Sequence, residues 1–349
     1  MSKALDPLFF LGRPFSPIYS SLMKLREYLY LTGVFRQQSV DVPVISIGNL
    51  VLGGTGKTPT VQHLAKLLVE HGYQPAIVCR GYGGKAKEAV NIVSDGKNVF
   101  LTAVLSGDEP NLHAHSVPGV PVLTGKRRIF PSRYATQQFN CDVIILDDGF
   151  QHLSVKRDLD VILFDSTALA GNSRVFPGGP LREPISALNR CHAFLLTGQN
   201  LSKQARTRQF ANLLKQKFPE RPVFLSSVNT ARLLEQNGKV SHNGGTKKLF
   251  GFCGIANPLR FERSLLNLGV QLVGFQTLKD HSAYSQPLVA HLCDRAAERG
   301  AQALVTTEKD FIKLRDLKLS LPLYVLKVQQ SIDQDFDHFV LEMLEKMKK

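Results

Sequence analysis

The stretch from Val42 to Thr60, VPVISIGNLVLGGTGKTPT, constrains this chain more than any other. Val44-Ile45-Ser46-Ile47 is an apolar, β-branched run, the pattern of a buried strand. Gly53-Gly54-Thr55-Gly56 follows, and Lys57-Thr58 open a helix. Glycines let the backbone curl so that its N–H groups point at phosphate oxygens, and the helix N-terminus adds partial positive charge. In such a loop the lysine reaches the terminal phosphates and the hydroxyl of Thr58 coordinates Mg²⁺. Pro59 sits in the first turn, where its missing N–H costs little. One position departs from the full pattern: Val51 stands where the first glycine belongs. A glycine turn that merely caps a helix is the alternative reading. The order of strand, loop, Gly-Lys-Thr and helix favours a nucleotide cradle running from Val51 and Leu52 to Thr58.

A chain of 349 residues is too long for one typical core, so two α/β domains are expected. No apolar run approaches the ~18–20 residues that span a bilayer. The first apolar patch, Leu8-Phe9-Phe10-Leu11, is too short for a secretory signal and stops at Gly12-Arg13-Pro14. The five cysteines (79, 141, 191, 253 and 293) are widely spaced, without CxxC or zinc-finger spacing, and read as buried free thiols. The net charge of +14 points to an anionic partner. The cations are dispersed, tryptophan is absent and no aromatic–basic interleaving appears, so charge alone does not choose among nucleic acid, membrane and phosphorylated substrate.

Along the chain, Ile18, Leu22, Leu25 and Leu29 recur at helical spacing among basic residues. Such a helix suits a membrane interface, or packing on its own domain. The helix after the phosphate loop is expected over 61–71. Strand 74–79 runs into Arg80-Gly81-Tyr82-Gly83-Gly84-Lys85. Ser106-Gly107-Asp108-Glu109-Pro110 reads as a helix start or as an acid pair placed to take a proton. After strand 120–123, Gly125-Lys126-Arg127-Arg128 reads as a basic helix start, disfavoured by the dipole unless it meets phosphate. The apolar strand 141–146 ends in Asp147-Asp148-Gly149-Phe150-Gln151-His152. An acid at the end of such a strand, downstream of a phosphate loop, is the Walker B arrangement for Mg²⁺. Strand 159–164 leads to a long Gly/Pro loop, 171–184. It carries Arg182, suited to phosphate, and Glu183, suited to metal or proton work. Strand 193–197 and a basic helix over 203–218 follow. Two short extended pieces around Gln236-Asn237-Gly238 read as a hairpin, with Asn243-Gly244-Gly245 behind it. From Leu249 to Leu326 a β-α-β-α-β rhythm restarts, with polar clusters at strand ends, including His281 and Thr307-Glu308-Lys309-Asp310.

Taken in order, GNLVLGGTGKTP (48–59), CRGYGG (79–84, similar to SRGYGG), GDEP (107–110), DDGFQH (147–152), GPLREP (179–184), DH (280–281) and TEKD (307–310) resemble the tetraacyldisaccharide 4'-kinase family. The similarity runs from about Pro43 to Asp310. Ser173 and Gly178 stand where the family more often has Gly and Ala. The resemblance implies a P-loop NTPase-like doubly wound α/β domain at 43–220 and a hairpin linker at 221–247. A smaller Rossmann-like α/β domain follows at 248–349, and an interface helix region precedes at 1–42. It implies ATP and Mg²⁺ as cofactors and tetraacyldisaccharide 1-phosphate as acceptor. Peripheral attachment to the cytoplasmic face of the inner membrane comes with it, and no nucleic-acid partner.

The resemblance makes Asp108 the base, with His281 as helper. Lys57 and Asp148 join the catalytic set, and Asp147, Asp148, Thr58 and Glu183 are metal candidates. Arg80, Arg128, His152 and Arg182 are expected to face substrate. A partition or switch ATPase also lacks the first glycine, but carries a lysine where Leu52 stands. A GTPase would need Asn-Lys-x-Asp, which is absent.

Overall fold

The computed structural model describes residues 6–199, 204–236, 238–240 and 247–348. Short helices α1 (Asp6–Gly12) and α2 (Ser16–Leu31) precede strand β1 (Val44–Asn49), and the phosphate loop leads into α3 (Lys57–Glu70). Then come β2 (Pro75–Cys79), β3 (Asn91–Ser94), α4 (Ala103–Ser106), α5 (Asp108–Ser116), β4 (Val122–Thr124), α6 (Ile129–Phe139), β5 (Val143–Asp147) and β6 (Leu159–Asp165). The middle of the chain forms β7 (Ala193–Gln199), α7 (Gln204–Lys217) and β8 (Val223–Glu235). The last third forms β9 (Lys248–Cys253), α8 (Pro258–Asn267), β10 (Gln271–Thr277), α9 (Gln286–Glu298), β11 (Ala303–Thr307), α10 (Glu308–Phe311), β12 (Leu323–Ile332) and α11 (Gln334–Lys348).

All twelve strands join one sheet, in the order β10-β9-β11-β12-β8-β7-β6-β1-β5-β2-β4-β3. Neighbours are parallel except where β3 meets β4 and where β12 meets β8. β1 and β5 are buried along their whole length, as their near-continuous apolar sequences require of strands covered on both faces. α3 packs Val61, Leu64 and Leu68 on this sheet beside Ile45 and Ile145. The last third builds its own core from Phe252, Leu292, Leu304 and their neighbours.

Three elements differ from the sequence reading. In place of two short pieces, one 13-residue strand, β8, runs from Val223 to Glu235. It pairs with β7 near its start and along its length with β12, from the far end of the chain. A long-range antiparallel partner extends the strand, and the local turn closes beyond its end, where Glu235 N–H donates to the Lys239 carbonyl at 2.8 Å and Leu234 bridges Val240. Asn237, the Asn243-Gly244-Gly245 turn and Lys203 lie outside the described residues. The cations at 126–128 precede α6 instead of opening it, so the helix dipole is not opposed by charge in its first turn. α11, which the sequence groups with the last third, buries Phe336, Val340 and Leu344 against α3 in the N-terminal core. His63 Nε2 lies 2.7 Å from Asp337 there.

Candidate active site

The phosphate loop is held from both sides. Val51 bridges Leu181, Leu52 N–H donates to the Pro180 carbonyl at 2.8 Å, and Arg182 N–H donates to the Leu50 carbonyl at 2.8 Å. Val51 is buried in that seam, which explains why a side chain stands where the pattern expects glycine. On the other side Thr197 Oγ1 donates to the Thr55 carbonyl at 2.8 Å. Gly56 has φ 80°, and a Cβ there would press on Thr197 at 3.3 Å, so the turn into α3 requires glycine.

The loop forms one wall of a cleft of about 1260 Å³ between the N-terminal strands and the last third of the chain. Leu52 to Thr58, Arg80, Arg128, Asp147, Asp148, His152 and Arg182 line it from one half, and His281 and Lys309 from the other.

β5 delivers the two aspartates to different partners. Asp147 is buried at the strand end, and its Oδ2 lies 3.0 Å from His113 Nε2 on α5. Its Oδ1 is buried without a partner among the described residues. Asp148 adopts φ 55°, a left-handed turn that aspartate tolerates, and so faces the loop. Lys57 Nζ is 3.6 Å from its Oδ1, and Arg182 Nη1 donates to both of its oxygens at 3.0 and 2.8 Å. Burial alone would raise the Asp148 carboxyl, but Lys57 and Arg182 outweigh it and hold the group below its ordinary value.

Facing this cluster, Asp108 is the first residue of α5 and His281 follows β10, 173 positions away. His281 Nδ1 meets Asp108 Oδ2 at 3.0 Å, and Lys313 Nζ lies 3.3 Å from the same oxygen. Lys309 Nζ is 3.2 Å from His281 Nε2. Asp108 on one ring nitrogen and Lys309 on the other hold the imidazole in place. Asp108 stands behind His281, with 11% of its side chain exposed.

Arg128 is buried beside the cleft with Nε unpartnered among the described residues, and burial, reinforced by Arg80, pulls its guanidinium below the usual value. His152 Nε2 accepts from Arg128 N–H at 3.2 Å. Burial, then Arg128 and other arginines, push His152 down to about 3, so it stays neutral.

Glu183 does not reach the cleft. Its Oε2 accepts from Arg190 at 2.7 Å, and Arg190 also pairs with Glu27 of α2 at 2.6 Å while stacking on Phe150. This buried carboxylate ties the N-terminal helix to the Gly/Pro loop through Arg190, and its Oε1 is left without a partner among the described residues.

Sequence reasoning assigned no role to His113 or Lys313, and named Glu109 and Lys309 only as parts of an acid pair and a polar cluster. Glu109 lines the cleft, and burial, then Asp147, raise its carboxyl. Glu109 and Lys309 lie within the GDEP and TEKD motifs. His113 carried no signal, because a histidine on a helix acquires its meaning only when the strand behind it is known.

A mostly parallel sheet with a lysine-bearing phosphate loop after β1, an acid at the end of neighbouring β5 and, on the opposite wall of the cleft, a histidine backed by an aspartate defines a P-loop phosphotransferase. The LpxK family model, tetraacyldisaccharide-1-P 4'-kinase, matches residues 8–345, and the chain belongs to that family. It is 46% identical over 340 residues to the tetraacyldisaccharide 4'-kinase of Desulfotalea psychrophila, covering 97% of each chain. With that of Syntrophus aciditrophicus it shares 39% over 359 residues, covering 98% of this chain and 95% of the other. The crystal structure of LpxK from Aquifex aeolicus in complex with ATP superposes with a TM-score of 0.76 at 29% identity, covering 95% of this chain and 98% of that one.

Proposed function

We propose that this chain transfers the γ-phosphoryl group of ATP to the 4'-hydroxyl of tetraacyldisaccharide 1-phosphate, giving the 1,4'-bisphosphate precursor of lipid A. The observation that carries the reading is His281, on the cleft wall opposite the phosphate loop and backed by Asp108 at 3.0 Å.

In this reading Lys57 and the loop amides bind the β- and γ-phosphates. Phosphoryl transfer is mostly positioning and electrostatics. Asp108 takes the proton of the sugar hydroxyl on Oδ1, since its contacts among the described residues fall on Oδ2. His281 and Lys313 fix the carboxylate in place. Arg80, Arg128 and Arg182 line the path for the anionic groups of ATP and acceptor.

Mg²⁺ fits the residues present. Thr58, Asp147 and Asp148 offer the hard oxygen donors the ion prefers, and the buried, unpartnered Asp147 Oδ1 is a donor awaiting a ligand. When bound, Mg²⁺ supplies charge neutralisation at the phosphates.

The exposed stripe of α2 supports contact with the cytoplasmic face of the inner membrane. Ile18, Leu22 and Leu25 are 61%, 55% and 53% exposed, while Tyr19, Met23 and Arg26 on the other side line the cleft. An acyl chain lying in the membrane would thus have its sugar head beside the phosphate loop. No helix among the described residues is long and apolar enough to cross a membrane. Residues 43–220 and 248–332 are read as domains that close on each other about the β8–β12 ribbon, with nucleic acid playing no part.

The test is transfer of labelled γ-phosphate from ATP to tetraacyldisaccharide 1-phosphate in detergent micelles, with Lys57→Ala alongside. Transfer by the native chain and a loss of orders of magnitude in the variant are expected. ATP hydrolysis without labelled lipid would sink the reading.

A further inference from the structure

Cys79, His113 and Asp147 come from three elements: the end of β2, the middle of α5 and the end of β5. Their Sγ, ring nitrogen and carboxylate oxygen all lie within 4.8 Å of one another. The three residues are 3%, 0% and 3% exposed. The cluster is not sealed, because Cys79 and Asp147 border the cleft. Two of its polar atoms, His113 Nδ1 and Asp147 Oδ1, are buried without partners among the described residues. The His113–Asp147 hydrogen bond leaves both unexplained, and buried polar atoms in native proteins are normally satisfied.

The donor set is one sulfur, one imidazole nitrogen and one carboxylate oxygen. A thiolate and an imidazole favour a borderline-soft cation over Mg²⁺, which prefers oxygen alone. Thiolate and carboxylate together carry two negative charges, so a divalent cation makes the buried cluster neutral. Three protein ligands with a fourth position towards an open cleft is a familiar coordination for Zn²⁺. We propose that Cys79, His113 and Asp147 form a binding site for a thiophilic divalent cation, Zn²⁺ foremost, whose occupancy arrests phosphoryl transfer by sequestering Asp147. Binding forms the metal–sulfur bond and releases the thiol proton to solvent, with no change of oxidation state. The binding half stands on the cluster alone; the arrest rests on the role proposed above for Asp147.

Co²⁺ titrated into the full chain without nucleotide provides the readout. One equivalent should produce a thiolate-to-cobalt charge-transfer band and tetrahedral visible bands, both erased by Zn²⁺. Cys79→Ser should abolish the charge-transfer band. His113→Gln, on a separate element, should independently weaken the tetrahedral bands. At saturating Mg²⁺, Zn²⁺ should inhibit transfer by the native chain, with relief by a zinc-selective chelator. In Cys79→Ser, which should retain its basal rate, the inhibitory Zn²⁺ concentration should rise at least about a hundredfold, the upper range even for outer-shell changes. A missing band, or a band unchanged in Cys79→Ser, would overturn the site. A Cys79-dependent band with transfer indifferent to Zn²⁺ would overturn the arrest and the role given to Asp147.

Discussion

Replacing Arg190 with Met tests whether Glu183 is a structural anchor. Arg190 holds Glu183 at 2.7 Å and Glu27 at 2.6 Å, and its guanidinium lies 4.6 Å from the Phe150 ring centroid. Burial lowers the guanidinium's affinity for its proton, but Glu183 and Glu27 more than offset this, so Arg190 remains a firm cation. Methionine keeps the apolar stem over Phe150 and removes the charge. The Glu183 side chain is 3% exposed, so it is left buried with no cation. Breaking one side of a buried pair costs about 3–5 kcal/mol, whereas the more exposed Glu27 leg is worth ~1 kcal/mol or less. The single variant should therefore lose about 3–5 kcal/mol in urea unfolding at neutral pH. The double variant Arg190→Met with Glu183→Leu should recover most of the loss, because both polar partners are gone. A single variant within about 0.5 kcal/mol of the native chain, below the ordinary range for a buried pair, would refute the reasoning.

Other outcomes follow from the same geometry. Glu183→Gln should leave the Mg²⁺ concentration needed for half-maximal ATP turnover unchanged, as a magnesium titration would show. His113→Leu should remove a hydrogen bond to a charged group, worth about 1.5–3 kcal/mol, and raise that magnesium requirement by freeing Asp147 to turn. A triple change of Ile18, Leu22 and Leu25 to Ser should hardly alter the melting temperature, yet should weaken cosedimentation with anionic vesicles. His152 is depressed to about 3 in the folded chain against ~6.5 unfolded. Its contribution to stability is thus full above ~6.5 and declines as pH falls towards 3, and His152→Gln should flatten that part of the unfolding profile.

Much of the N-terminal architecture is legible in the sequence because strand, loop and helix signals there are local and consecutive. The phosphate loop and the acid at the end of β5 were readable from residue order alone. The Asp108–His281 pair was not: it spans 173 positions, and only the family resemblance joined its two ends. The docking of α11 on α3 was hidden for a similar reason, since amphipathic spacing tells which face is buried and not against what. The pairing of Glu183 with Arg190, seven residues on, was not legible either, because an acid in such a loop has the same sequence whether it meets a metal or an arginine.

The most direct test of the account is Asp108→Asn, which keeps the side-chain shape but removes the proton acceptor. ATP affinity, measured by calorimetry, should stay within about twofold, while single-turnover transfer to tetraacyldisaccharide 1-phosphate should fall by about 10²–10⁴. Transfer that remains within about tenfold of the native rate would contradict the assignment of Asp108 as the base, and with it the central claim.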